Sequence, residues 1–255
     1  MGARLERPVR FHCVRSVKKE QMAEKVVIGN AELWHGDCRD VLPLLTGIDA
    51  IVTDPPYGAN YQPQAWKRFD GSPSDWRPVH GDGDTFNPGP LVVFKKAVIF
   101  GATYFGDLLP RGRWLIWDKR CSEKLDRMYG QSMEVAWCST GQHGTVSVKR
   151  LLHGGVVNAD SAAGNNARRE HPTQKPVAVM EWCIQEVGCI GLCCDPYMGS
   201  GTTGVAAARR GLPFVGIEID REHFDIACRR IEDAQRQGTL LPPEPARECV
   251  QAGLL

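Results

Sequence analysis

Two short segments carry residue types whose spacing could do chemistry. The first is Gly199-Ser200-Gly201-Thr202-Thr203-Gly204, which follows the apolar run 190–194 and opens the stretch Val205-Ala206-Ala207-Ala208-Arg209. A Gly-x-Gly-x-x-Gly turn between a strand and a helix N-terminus lets backbone come close to a ligand. The next apolar run, 213–217, ends in Glu218, and an acid at that strand tip can hold ribose hydroxyls. Together these read as a site for a nucleoside-containing cofactor. The plainer reading is a helix-capping turn beside a solvated acid. The second segment is Asp54-Pro55-Pro56-Tyr57, followed by Gly58 and preceded by the apolar run 48–53. Two prolines donate no backbone hydrogen bond, so the segment is stiff and its carbonyls are free acceptors. Asp54 and the Pro55 carbonyl form an acceptor-only patch, and Tyr57 adds a flat aromatic face. That set suits an exocyclic amino group on a planar base. The plainer reading is a rigid proline turn with a capping Asp.

Both segments need a frame. Short apolar runs at 32–35, 48–53, 97–100, 113–117, 134–138, 190–194 and 213–217 predict strands, and 38–45, 121–129, 176–187, 202–210 and 221–236 predict helices. Strand–helix alternation of this kind predicts an α/β fold with a mixed, mostly parallel seven-stranded sheet and helices on both faces. Residues 59–90, with their prolines and glycines, and 139–170, rich in Gly, Asn and Ser, interrupt the pattern. Loops this long in a compact domain are usually functional. A single domain over 25–237 is expected, with flexible tails at 1–24 and 238–255. The Gly-rich turn stands late, with room after it for one more strand and helix. The rest of the sheet must come from upstream, so the cofactor half closes a permuted sheet, which weighs against a nicotinamide-dependent oxidoreductase.

The order of the motifs resembles the permuted (β-group) S-adenosylmethionine-dependent DNA amino-methyltransferases of the Asp-Pro-Pro-Tyr type. Asp54-Pro55-Pro56-Tyr57 comes first and Gly199-Ser200-Gly201 last. Between them His171-Pro172-Thr173-Gln174-Lys175-Pro176 is similar to the segment that precedes the cofactor loop in that group. Tyr197 stands where the group usually has Phe. The resemblance spans roughly 30–235 and implies a Rossmann-like methyltransferase fold. It implies methyl transfer from S-adenosylmethionine to adenine N6 in a flipped-out base, with cytosine N4 as the alternative. Asp54 favours adenine, since Ser is commoner there in the cytosine enzymes.

By the same resemblance Asp54, Pro55, Pro56 and Tyr57 are catalytic. The cofactor falls to Asp37, Cys38, Thr173, Lys175, Asp195, Tyr197, Gly199, Ser200, Gly201, Thr202, Thr203 and Glu218. In this assignment Thr173 and Lys175 take its amino-acid end, Asp195 holds its ammonium directly or through the loop, and a side chain at Gly201 would intrude on its carboxylate. Double-stranded DNA is the expected partner, with Lys67, Arg68, Lys149, Arg150, Arg168 and Arg169 as candidate phosphate contacts and 139–170 as target-recognition region. A homodimer and a paired restriction endonuclease stay open.

Composition limits the alternatives. The 255 residues carry a net charge of +1, with 24% charged and 42% hydrophobic residues, as in an ordinary globular chain. No global field draws the protein to a polyanion, so nucleic acid must meet a local patch. No apolar run is long enough to span a membrane, and Met1-Gly2-Ala3-Arg4-Leu5-Glu6 does not resemble a secretory signal. The expected location is cytoplasmic, with the ten cysteines reduced and no metal site, because Cys193 and Cys194 must face opposite sides of a strand. A catalytically silent DNA-binding module is the remaining alternative, disfavoured by the presence of both Asp54 and the glycine turn.

Overall fold

A computed structural model describes residues 23–60, 80–119, 132–151 and 174–238. The predicted helix 121–129 lies outside the described residues. So do Thr173, Lys67, Arg68, Arg168 and Arg169, both tails beyond 23 and 238, and most of the loops 59–90 and 139–170.

Nine strands form one sheet among the described residues, in the order β1-β2-β9-β8-β3-β4-β6-β5-β7. They are β1 Glu24–Ile28, β2 Ala31–His35, β3 Ile48–Thr53, β4 Ala97–Phe100, β5 Arg113–Asp118, β6 Met133–Cys138, β7 Val146–Arg150, β8 Leu192–Asp195 and β9 Phe214–Glu218. The helices are α1 Cys38–Val41, α2 Gly89–Val92, α3 Val177–Val187, α4 Thr202–Arg209 and α5 Arg221–Gly238. Strands β2, β9, β8, β3 and β4 run parallel. Strand β6 is antiparallel to β4 and β5, β1 is antiparallel to β2, and β7 is parallel to β5. The mixed, mostly parallel α/β sheet is as expected.

The expected count of seven strands is corrected to nine. All seven predicted runs form strands, and β1 and β7 are added at the two edges. Neither is among the predicted strands, because an edge strand buries little: β7 alternates exposed and half-buried residues with no fully buried one. The segment 139–170 therefore begins as sheet, and Glu24 belongs to a strand rather than the tail.

Period-two alternation sends side chains to two cores. Ala50, Val52, Val98, Phe100 and Cys193 face α3, α4 and α5, while Ile51, Ala97, Ile99 and Cys194 face the opposite layer with Leu91 of α2. Helix α3 ends at Gly188, left-handed at φ 71°, which stops the helix and turns the chain into β8. Helix α4 packs without clearance. A Cβ on Gly204 would lie 2.4 Å from Ile231 Cδ1 and 2.8 Å from Phe214 Cε1. Gly204→Val should cost about 1–3 kcal/mol by overpacking, read as a lower calorimetric midpoint; an unchanged midpoint would show a loose interface between α4 and α5.

Candidate active site

Among the described residues, the candidates from the two motifs converge at one end of the sheet, on the carboxyl ends of the parallel strands. From β3 the chain proceeds to β4 on one side, and from β8 to β9 on the other, so the boundary between β3 and β8 is a topological switch point, where open α/β sheets bind ligands. A buried carboxylate spans that boundary. Asp195, ending β8, accepts from Thr53 Oγ1 at 2.6 Å, from Thr203 Oγ1 at 2.5 Å and from the Tyr197 N–H at 3.1 Å. Burial pushes its pKa up to about 6, and the three donors only partly offset this. Its two oxygens bond to β3, to α4 and to the turn between, so Asp195 positions the glycine loop.

On the β3 side, Asp54 and Tyr57 form one cluster. Tyr57 Oη donates to Asp54 Oδ1. Lys175 Nζ donates to Asp54 Oδ2 at 2.5 Å and to Tyr57 Oη at 3.2 Å, and it lies 2.9 Å from Glu134 Oε2. Glu134 Oε1 pairs with Lys119. The aromatic ring of Phe100 sits 5.0 Å from the Lys175 ammonium. The Lys175 ammonium thus sits on the acceptor patch, drawn there by two carboxylates. Burial pulls the Lys175 pKa down, but Asp54 and Glu134 outweigh it and hold it well above the ordinary value. Burial pushes Asp54 up, against the pull of Lys175. Burial also acts to raise Glu134, yet Lys175 and Lys119 bring it down to about 2.

The proline turn is held by a residue the motif does not include. Asp82 Oδ1 accepts the N–H groups of Tyr57, Gly58 and Ala59 at 3.0, 3.0 and 3.1 Å. The Tyr57 ring stacks on Tyr104, centroids 5.1 Å apart at 25°, and lies so close over Gly101 that a Cβ there would fall 2.2 Å from it. Sequence reasoning missed Asp82, Tyr104, Glu134 and Lys119. No motif surrounds them, and only the register of β5 on β6, Trp117 opposite Glu134, brings Lys119 and Glu134 together.

On the β9 side, the Gly36 N–H bonds the Glu218 carbonyl at 2.9 Å, which sets the Asp37 turn beside Glu218. Asp37 caps α1 through the Arg39 N–H at 2.9 Å and pairs with the Arg39 guanidinium, which lowers its pKa. Cys38 and Tyr197 meet side chain to side chain, and burial raises both pKa values. Glu218 accepts the Gly199 N–H at 2.9 Å and the Asp220 N–H at 2.7 Å, and burial raises it. Ser200 and Thr202 are tied to Arg230 of α5, whose Nη1 reaches Ser200 O, Ser200 Oγ and Thr202 Oγ1 at 2.6, 2.9 and 3.2 Å.

The glycines of the loop differ in role. Gly201 has φ 80°, and a Cβ there would lie 2.9 Å from Ala227 Cβ. The expectation that a side chain at 201 would strike a cofactor is corrected, since it would strike α5. At Gly199, φ 52°, a Cβ would meet nothing within 4 Å, so this is where the loop is open to a ligand. Of the candidate phosphate contacts, Lys149 and Arg150 lie on β7, with Arg150 Nε 3.7 Å from Asp118 Oδ2 and its side chain 68% exposed. That places both on the sheet edge remote from β8 and β9.

The Asp195 clamp makes a pH-resolved prediction. A folded-state pKa of about 6, above an unfolded value of about 3.9, means the native state holds the proton more tightly, so this group's contribution to stability falls as pH rises from about 4 to 6. Thr203→Val removes a donor to the charged form, a loss of about 1.5–3 kcal/mol. Urea unfolding should show the larger loss at pH 8 and a smaller one at pH 5. Equal losses at both would mean that Thr203 does not serve the ionised carboxylate.

Residues 112–229 match the profile of the N6_N4_Mtase family, described as DNA methylase. The Type II methyltransferase M2.DpnII of Streptococcus pneumoniae is 45% identical over 64 residues, 25% of this chain and 24% of that protein. The Type II methyltransferase M.ScaI of Streptomyces caespitosus is 44% identical over 77 residues, 30% of this chain and 25% of that protein. The aligned parts thus span about a quarter of each of these relatives. The PvuII DNA methyltransferase, cytosine-N4-specific, superposes with a TM-score of 0.52 at 12% identity, covering 83% of this chain and 93% of that one, and shares the fold. The segment matched by this family, residues 112–229, is just under half of the chain and holds Glu134, Lys175, the glycine loop and Glu218.

Proposed function

We propose that the protein is an S-adenosylmethionine-dependent DNA methyltransferase that modifies the exocyclic N6 of adenine. The observation that carries the reading is the acceptor patch of Asp54, Pro55 and Tyr57 at the end of β3, next across the switch point from the open glycine loop after β8. Cytosine N4 presents the same amino geometry and is the second reading, supported by the fold shared with a cytosine-N4 enzyme. The relatives named Type II methyltransferases support a restriction–modification setting, with DNA as partner.

The residues present fit S-adenosylmethionine. A carboxylate end suits the N-terminus of α4 above the open space at Gly199. Glu218 has both oxygens on backbone N–H groups and keeps further lone pairs for ribose hydroxyls. Asp37, Cys38 and Tyr197 close the adjoining side. When bound, the cofactor supplies an electrophilic methyl group on a sulfonium.

The chain's own residues do the rest. A conjugated amino nitrogen is a poor nucleophile. Asp54 and the Pro55 carbonyl accept its two N–H bonds, which draws the nitrogen toward tetrahedral geometry and frees its lone pair. Asp54 then takes the proton released as the N–CH3 bond forms and the S–CH3 bond breaks. Its raised proton affinity suits that task. The base must leave the duplex to reach Asp54, and Tyr57, braced by Tyr104 and Gly101, offers the stacking face. Positioning supplies a large share of the acceleration.

Incubation with tritiated S-adenosylmethionine and duplex DNA, followed by nucleoside analysis, should yield N6-methyladenine; N4-methylcytosine would select the second reading, and no labelled nucleoside would reject both. Asp54→Ala should lower methyl transfer at least about 100-fold with cofactor affinity nearly unchanged by calorimetry, because Lys175 keeps Glu134 as partner and the glycine loop is held by Asp195 and Arg230 rather than by Asp54. Near-normal transfer by this variant would reject the acceptor-patch mechanism. Gly199→Phe should weaken S-adenosylmethionine binding by about tenfold or more while keeping the fold, since it fills the open side of the loop; unchanged affinity would remove the cofactor from this loop.

A further inference from the structure

Four charged side chains lie in line: Asp54, Lys175, Glu134 and Lys119. They come from four different places in the fold, the ends of β3 and β5, strand β6, and the segment before α3. Lys175 is 6% exposed and Glu134 16%. Charges held out of water at this depth are costly unless paired. Glu134 takes no part in the methyl transfer described above and does not belong to either motif. Its Oε2 is fully shielded, yet makes no aligned hydrogen bond; the 2.9 Å approach to Lys175 is an ionic contact, while the directed bonds of Lys175 go to Asp54 and Tyr57.

We propose, resting on the methyltransferase reading, that Glu134 is a positioning residue that divides the Lys175 ammonium between two carboxylates and so sets how readily Asp54 takes up a proton. An undivided ammonium at 2.5 Å would hold Asp54 ionised and make it a weak base. With no ammonium at all, two carboxylates would face one another unneutralised. Lys119 on the far oxygen of Glu134 keeps Glu134 charged, so the division persists. The direction of the shifts agrees: burial and Glu134 act together to raise Asp54 against Lys175, while Glu134 itself stays ionised down to about pH 2. The other titratable groups around the cluster are Tyr57, Asp195 and Cys183. Tyr57 and Cys183 are neutral at working pH, since burial raises both. Asp195, raised to about 6 chiefly by burial, also feels the Asp54 charge, and it is present unchanged in all the variants compared below.

The test measures Asp54 directly. Carboxyl-13C NMR titration of the full chain, without DNA or cofactor, reads the Asp54 midpoint in wild type, Glu134→Gln, Lys175→Gln and Lys119→Gln. Glu134→Gln should lower the midpoint by about 1 unit or more, and Lys175→Gln should raise it by a similar amount. Lys119→Gln should raise it by less, and its partly exposed position keeps the test alive if a buried variant fails to fold. The acid limb of the kcat–pH profile for methyl transfer should move in the same directions. A residue that merely supports the fold would lower kcat without moving either midpoint. An unmoved midpoint in the variants, or shifts of the same sign in Glu134→Gln and Lys175→Gln, would overturn the proposal. Wild-type protein that transfers no methyl group would overturn the methyltransferase reading, with the NMR midpoints still deciding the role of Glu134.

Discussion

The buried carboxylate of Asp195 joins the three parts that have to meet at the switch point. Its partners are a side chain at the end of β3, a side chain in the first turn of α4 and a backbone N–H in the turn between β8 and α4. Remove it and the acceptor patch and the glycine loop lose their common reference. A charge at this depth raises its own proton affinity by burial, and two short hydroxyl bonds are what make it tolerable. The same bonds fix the side chains of Thr53 and Thr203, so the cost of burying one carboxylate is turned into geometry for both halves of the site.

A second constraint acts through close packing of α4 and α5 on β9. Gly201, Gly204 and Gly216 each stand where a Cβ would fall within 3.0 Å of a neighbour, namely Ala227, Ile231 and Met198. Helix α4 and the turn before it can thus sit this close to α5 and β9 because these positions lack side chains. Arg230 of α5 then fastens Ser200 and Thr202 from behind. The glycine loop is shaped from its protein side, and Gly199 alone of the loop's first two glycines is left facing open space. A pattern usually read as room for a ligand is here divided between room for a helix and room for a ligand.

Around Asp54 the organisation is electrostatic. The proline turn is fixed by Asp82, which gathers three successive N–H groups with one oxygen. The Asp54 carboxylate is fixed by Lys175, and Lys175 by Glu134. Each of these partners arrives from a distant part of the chain, so the site exists only in the folded sheet.

The sequence by itself determined the strand–helix alternation, all seven central strands, the opposite facing of Cys193 and Cys194, and the two motifs at the carboxyl ends of their strands. Those features are local: period-two burial, stiff prolines and a turn that only glycines can make are written in neighbouring residues. Edge strands β1 and β7 were not legible, because each buries little: β7 alternates apolar with polar residues, and the apolar run of β1, Val26-Val27-Ile28, is only three residues long. The partners of Asp54 were not legible either. Lys175 precedes the glycine loop in sequence, but its buried ammonium lies on the carboxylates of Asp54 and Glu134, which come from distant strands. Likewise Gly201 carries the same letter as Gly199, and only the approach of α5 decides which of them a side chain would block. Pairings between residues far apart in the chain have no local signature; strand order and helix packing decided them.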